Sequence, residues 1–172
     1  MKLVLMKFRY RMLLVVLAAI FSLTACASNL LTMNCPDNAR VNQAFSFDMR
    51  ENRDIELLDY FYGTPECPSL TNPKKYLDQG KAAQIENSIG PLRRYEKLYA
   101  KWRIKSTGVE YEDTVDLRKR LFKDMTGIRL HFSINGSQLF VYLVSPEVRS
   151  PNMPPNGPKA FKEQKTITIY PD

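Results

Sequence analysis

Hydrophobic and polar residues alternate along much of the chain, a pattern that predicts strands rather than helices. In the first clear run, Phe45, Phe47 and Met49 occupy every second position between polar or small residues. In the last run, Ile167 and Ile169 are expected to point inward. The predicted strands are residues 41–49, 55–62, 98–105, 109–113, 128–134, 137–144 and 165–170.

Two of these runs form a predicted hairpin whose register is set by both of its faces. If paired residue numbers sum to 213, Trp102 lies opposite Tyr111 and Arg103 lies opposite Glu110. A slip of one residue would oppose aromatic and charged side chains, so this register is strongly favoured. Gly108 suits the turn position that requires a positive φ.

A second hairpin is predicted around Asn135-Gly136, because Asn-Gly between two alternating runs is typical of a two-residue turn. Paired numbers that sum to 271 would place Leu130 opposite Val141 and Phe132 opposite Leu139. The opposite face of this hairpin is unusually aromatic for a solvated surface, since it holds His131, Phe140 and Tyr142. Another part of the chain covers this face, or it is a binding patch.

The remaining segments have no alternation. Residues 63–97 contain several prolines and glycines and are either a partner-binding surface or a long solvated loop, with a short helix near residues 72–79. Residues 145–157 are proline-rich and predict a rigid extended loop.

Residues 116–125 change to a four-residue period and predict a short helix or a helical turn. This segment carries the densest basic cluster after the N-terminal region: Arg118, Lys119, Arg120 and Lys123. The cluster is either a solvated face or a contact for lipid phosphates or an acidic protein. Together the elements predict a mainly β fold, an antiparallel β-sandwich of immunoglobulin-like or transthyretin-like size with one short helix and long loops.

The N-terminal residues have the organisation of an export signal, with a basic start and a short apolar core. The run Leu23-Thr24-Ala25-Cys26 that follows resembles the bacterial lipobox. The resemblance implies a signal peptide over residues 1–25, a lipid such as palmitate on Cys26, a tether over residues 26–42 and a single domain over residues 43–172. Since no aspartate follows Cys26, it also implies the periplasmic side of the outer membrane.

This assignment changes how charge and cysteines are interpreted. The chain of 172 residues has 25 Lys and Arg, 18 Asp and Glu, and a net charge of +7. Four of the basic residues and none of the acidic ones precede Cys26, so the rest carries only +3, which does not favour a nucleic-acid partner. With Cys26 lipidated, Cys35 and Cys67 form a disulfide or remain two free thiols.

Candidate chemistry is sparse. His131 is the one histidine, no serine occupies a nucleophile-elbow motif, and no nucleophile is expected beside the histidine. Glu110 and Glu112 are better explained by pairing with basic residues on the neighbouring strand than as a catalytic pair. We therefore expect no enzyme activity, no metal and no cofactor.

Residues 99–118 carry a distinctive pattern, Tyr-x-Lys-Trp-x-x-Lys-x-Thr-Gly-x-x-Tyr-Glu-Asp-x-Val-Asp-Leu-Arg. Three other runs are equally distinctive: Gly90 to Arg94, Met-Pro-Pro-Asn-Gly-Pro at 153–158 and the closing Ile-Tyr-Pro-Asp. This pattern resembles small lipoproteins of bacteria with type VI secretion, some of which are immunity proteins encoded beside phospholipase effectors. The resemblance implies a protein that binds a secreted lipase effector. A structural or assembly lipoprotein of the envelope or secretion apparatus is the alternative. The expected contact residues are Phe140, Tyr142, His131, Arg93 and Arg94, with the segments 63–97 and 146–158 around them.

Overall fold

A computed structural model describes residues 40–50, 52–64 and 67–172, which belong to one compact unit of the chain. The strands are β1 (Arg40–Asp48), β2 (Ile55–Gly63), β3 (Pro68–Thr71), β4 (Ile85–Arg93), β5 (Lys97–Ile104), β6 (Glu110–Asp116), β7 (Arg129–Asn135), β8 (Gln138–Val148) and β9 (Gln164–Tyr170). A single helical turn, α1 (Lys74–Leu77), and a 3₁₀ turn (Lys159–Phe161) complete the described elements. β1 begins three residues before the predicted domain boundary.

The strands form two sheets, which confirms the predicted mainly β sandwich with few helices. The large sheet has the order β4-β1-β7-β8-β9 and the small sheet the order β3-β2-β5-β6. Every neighbouring pair is antiparallel except β1 and β7, which run parallel. This parallel pair joins residues far apart in sequence at the centre of the large sheet.

The core consists of the alternating side chains that both sheets turn inward. Phe47 of β1 contacts Tyr60 of β2 and Phe132 of β7, with ring centroids 4.7 Å and 4.6 Å apart. Trp102 is buried, and its indole N–H donates to the backbone oxygen of Gly136 at 3.0 Å. This bond links the β5 end of the small sheet to the hairpin turn of the large sheet, so the buried indole nitrogen has a partner.

The structure confirms the β5–β6 register and corrects the β7–β8 register. Trp102 pairs with Tyr111 and Arg103 with Glu110, as predicted. In the second hairpin, however, Phe132 pairs with Val141, two positions away from its predicted partner Leu139. All paired numbers there sum to 273 rather than 271, so Leu130 likewise pairs with Leu143.

The turn geometry explains this shift. Asn135 pairs with Gln138, so the two turn residues are Gly136 and Ser137 instead of Asn135 and Gly136. Gly136 has φ +58, and no described residue other than glycine has a positive φ. A positive φ at the first central residue alone is the type II′ pattern, which requires glycine there. A shift of two residues leaves every side chain on its predicted face.

The prediction of a long irregular segment at residues 63–97 is wrong. This segment contains β3, α1 and the nine residues of β4. β4 escapes detection because it is an edge strand that pairs with β1 alone and exposes Ile85 and Ile89 on one side. Edge strands also tolerate proline, here Pro91, so the usual apolar alternation is absent.

The later connections are also shorter than predicted. β8 continues to Val148, into the segment predicted as loop, and residues 149–163 connect it to β9. Ile169 packs against the core as predicted, but Ile167 is 40% exposed because β9 is an edge strand. Residues 117–121 form one helical turn, in which the amide of Leu121 donates to the carbonyl of Leu117 at 3.1 Å.

Cys67 is buried and disulfide-bonded. Cys35 lies outside the described residues, so its pairing with Cys67 stays a prediction. The predicted signal peptide, Cys26 and nearly all of the tether also lie outside them. Within the part of the chain that is described, no helix is long and apolar enough to cross a membrane.

Candidate functional site

Three of the predicted contact residues meet on the outer face of the large sheet, the face directed away from the core. The β7–β8 register places His131 directly opposite Tyr142 and Ser133 opposite Phe140. Their rings form a row, with centroids 6.3 Å apart for His131 and Tyr142 and 6.4 Å apart for Phe140 and Tyr142. His131 and Tyr142 are buried, whereas Phe140 remains half-buried.

Residues 149–163, which we call the cover, fold over this row. Phe161 packs edge-on against His131 with ring centroids 4.9 Å apart, and the guanidinium of Arg129 lies over the Phe161 ring. At Gly157, which has φ +81, an added Cβ would lie 3.2 Å from the Tyr142 ring. Coverage of the aromatic face, one of the two predicted alternatives, is therefore confirmed.

The base of the cover is closed by backbone and side-chain hydrogen bonds. The amide of Arg149 donates to the carbonyl of Glu163 at 2.9 Å, and the Arg149 Nε donates to the carbonyl of Lys162 at 2.9 Å. Because Arg149 at the start of the cover is hydrogen-bonded to Lys162 and Glu163 at its end, the proline-rich segment forms a compact surface loop.

His131 has a serine neighbour that the local sequence pattern does not predict. Because β1 and β7 run parallel with Ser46 beside His131, the Ser46 Oγ lies 2.9 Å from His131 Nδ1. The statement that no nucleophile lies beside the histidine is therefore wrong. Burial, with a smaller contribution from Arg129, lowers the pKa of His131 to about 4. The imidazole is neutral at pH 7.

The Ser46–His131 pair has the contacts of a buried structural pair. Ser46 is only 7% exposed and His131 only 6%, so a reacting atom has little access to the hydroxyl. Asp48 is the carboxylate that acts on the pKa of His131, and it is hydrogen-bonded to Arg50 at 2.6 Å and 2.9 Å. A catalytic triad would instead hold a carboxylate on the second imidazole nitrogen and expose the serine.

A cleft of about 580 Å³ opens beside the cover. Its walls come from the end of β1, the β1–β2 connection, the β7–β8 hairpin and the end of the cover. The lining side chains with binding chemistry are Asp48, Asn52, Ser133, Phe140 and Lys159. They combine a carboxylate, an amide, a hydroxyl, an ammonium group and an aromatic surface. This mixture suits an irregular polypeptide segment, which presents both backbone polar groups and apolar side chains.

The two predicted arginines lie elsewhere. Arg93 pairs with Arg40 at the end of the large sheet where β1 begins, far along β1 from the cleft. Arg94 turns its guanidinium onto the backbone of the β6–β7 connection, and its Nε donates to the carbonyl of Phe122 at 3.1 Å. The structure therefore brings together Phe140, Tyr142 and His131, and separates them from Arg93 and Arg94.

The predicted basic cluster lies on that same connection, and we call residues 118–123 the basic turn. Arg118 pairs with Asp116, and Arg120 pairs with Asp172. Lys119, Phe122 and Lys123 are exposed. Among the described residues, no group of three or more His, Cys, Asp and Glu side chains could hold a metal ion.

The comparisons with known proteins identify no relative. No family model matches the chain. Neither the curated proteins nor the solved structures include a significant match.

Proposed function

We propose that this protein is a lipid-anchored periplasmic lipoprotein that binds and neutralises a secreted lipase effector. The observation that carries the proposal is the cleft beside Phe140, which combines an aromatic surface with polar side chains from four segments. The lipobox-like run ending at Cys26 and the resemblance to immunity lipoproteins of type VI secretion supply the location and the class of partner. The proposed action is steric occlusion and requires no catalytic residue or cofactor of this protein.

In this proposal the core and the cover have different roles. The buried row of His131 and Tyr142 supports the cover, and the cover forms one wall of the cleft through Lys159. Phe140 provides the central apolar contact, since half-buried aromatic side chains are favoured anchors at interfaces. Asp48 and Asn52 contribute from another part of the lining, although Asp48 is already hydrogen-bonded to Arg50.

The anchor and the binding function are tested separately. Metabolic labelling with palmitate should mark the protein and should be lost in Cys26→Ser. Cells that lack the gene should die when they are challenged by sister cells that secrete the effector, and re-expression should protect them. Unchanged survival of the deletion strain would sink the proposed function.

The cleft is tested in the same protection assay. Phe140→Asp should abolish protection, whereas Ile89→Asp, at a 69% exposed position of the same sheet, should not. Equal protection by both variants would remove the cleft from the proposal. Envelope defects in the deletion strain without any effector, and recovery of envelope components instead of one lipase, would favour the structural lipoprotein.

A further inference from the structure

The basic turn presents an apolar side chain between two cationic ones. Phe122 is 41% exposed, and both Lys119 and Lys123 are exposed. Neither lysine forms an ion pair with any described residue, whereas Arg118 and Arg120 are paired with carboxylates. An exposed aromatic ring flanked by free ammonium groups combines the two attractions that bind a polypeptide to an anionic bilayer surface.

The turn is held rigidly from behind. Leu117, Leu121 and Met125 are buried in the core. Arg94 fixes the outer backbone through the carbonyl of Phe122 at 3.1 Å and more weakly through that of Leu121 at 3.5 Å. A preorganised surface loses little conformational entropy when it binds, so even three side chains can contribute measurably.

The turn lies at the end of the sandwich where the domain begins. The amide of Gly127, which follows the turn, donates to the carbonyl of Asn42 at 2.7 Å, two residues from the start of β1. Arg93, which precedes Arg94, lies opposite Arg40 in the β1–β4 strand register. Cys26 precedes Arg40 by fourteen residues, which span at most about 50 Å when extended. A lipid on Cys26 would therefore keep this end within reach of the membrane.

The surrounding charge favours the same surface. Along the chain from residue 116 to residue 124 there are four basic side chains, Arg118, Lys119, Arg120 and Lys123, and two acidic ones, Asp116 and Asp124. Asp124 lies closest to Lys123 in sequence, and its carboxylate accepts from the amide of Thr126 at 2.8 Å. The excess is strongest around the two unpaired lysines.

We propose that the basic turn docks the domain directly on an anionic phospholipid surface, with Phe122 among the headgroups and Lys119 and Lys123 against phosphates. The inference rests on the proposed membrane attachment only for the orientation of the domain, because the residues that make the contact all lie in the described domain. It is independent of any effector. It adds a second, non-covalent membrane contact to the lipid anchor.

The test measures partition of residues 27–172, the chain without signal peptide and acylated cysteine, into phosphatidylglycerol–phosphatidylcholine vesicles at low salt. Partition should be clear on these vesicles and negligible on pure phosphatidylcholine. Each lysine near an anionic surface is worth about 1 kcal/mol, so Lys119→Gln with Lys123→Gln should lower partition about 30-fold. The control, Lys75→Gln with Lys81→Gln, removes the same charge from the exposed β3–β4 connection and should change it less than about threefold.

Phe122 is tested by substitution and by fluorescence. Phe122→Ser should weaken partition about tenfold, and Ile89→Ser should not. Trp102 is buried and contributes the same emission to the parent and to Phe122→Trp. The difference between the two emission spectra therefore reports the new indole at position 122, and this difference spectrum should shift to the blue on anionic vesicles. Absence of partition, equal losses in both lysine pairs, or an unshifted indole would each overturn the inference. Palmitate labelling and effector protection by the unmutated protein are measured in other assays, so failure here is distinguishable from failure of the proposed function.

Discussion

Protonation of His131 should make the domain markedly less stable at mildly acidic pH. The imidazole is 6% exposed, hydrogen-bonded to Ser46 and covered by Phe161. Burial is the main reason why its pKa falls to about 4, with Arg129 acting in the same direction and Asp48 opposing both. The imidazole is therefore protonated near pH 6.5 in the unfolded chain but only near pH 4 in the folded protein.

The sign and size of the effect follow from this difference in pKa. Above pH 6.5 the imidazole is neutral in both states and does not affect folding. As the pH falls from 6.5 toward 4, the unfolded state gains a proton first, so the free energy of unfolding decreases. The full loss is about 3 kcal/mol, of which about 2 kcal/mol is expected between pH 7 and pH 5. The total free energy of unfolding of a small domain is only about 5–15 kcal/mol, so a loss of about 2 kcal/mol is large.

Urea unfolding of the wild type and of His131→Gln between pH 7 and pH 5 measures the effect. The chain contains one histidine, so no other imidazole contributes. The raised pKa of Asp59, caused by burial, acts in the opposite sense but is common to both proteins. The wild type should lose about 2 kcal/mol more than the variant. Parallel pH profiles would refute the claim that the imidazole is buried in its neutral form.

Three further substitutions test the cover, the basic turn and the β5–β6 hairpin. Gly157→Ala places a methyl group 2.7 Å from a threonine methyl at a positive φ, and should lower the free energy of unfolding in urea by about 3 kcal/mol. The control, Gly80→Ala, has φ +62 but no atom near the new methyl group, so only backbone strain should lower its free energy of unfolding, by about 1 kcal/mol. Arg94→Met removes the guanidinium that donates to the backbone of the basic turn. This should lower the free energy of unfolding by about 1–2 kcal/mol and speed up hydrogen exchange in that turn. A double-mutant cycle on Arg103 and Glu110 should find a small coupling that disappears in 1 M salt, because both side chains are more than one-third exposed.

Much of the fold could be predicted from alternation, because both sheets turn one face of each strand into the core. The β5–β6 register was also predictable, since Trp102 with Tyr111 and Arg103 with Glu110 satisfy both faces at once. The β7–β8 register was not, because a shift of two residues keeps every side chain on its face and leaves the alternation unchanged. Only the backbone preference of Gly136 distinguishes the two registers.

The candidate site was less accessible to sequence reasoning. The aromatic outer face of β7 and β8 correctly indicated a covered surface, but nothing identified Phe161 as the residue that covers it. The contact of Ser46 with His131 depends on parallel pairing between strands whose residues are 85 positions apart. Local patterns do not determine which distant strands become neighbours. The edge position of β4 explains why the sequence predicted a loop there.

The two proposed surfaces lie at opposite ends of β1, and this separation has a functional consequence. Arg40 begins the strand beside the basic turn, and Asp48 ends it at the cleft. Nine residues of strand span about 30 Å. If the basic turn rests on phospholipid headgroups, the cleft opens well above them. A lipase bound there would be held away from its substrate, so membrane docking and occlusion would reinforce each other. A variant that loses vesicle binding through Lys119 and Lys123 should therefore still bind the lipase but protect cells less well.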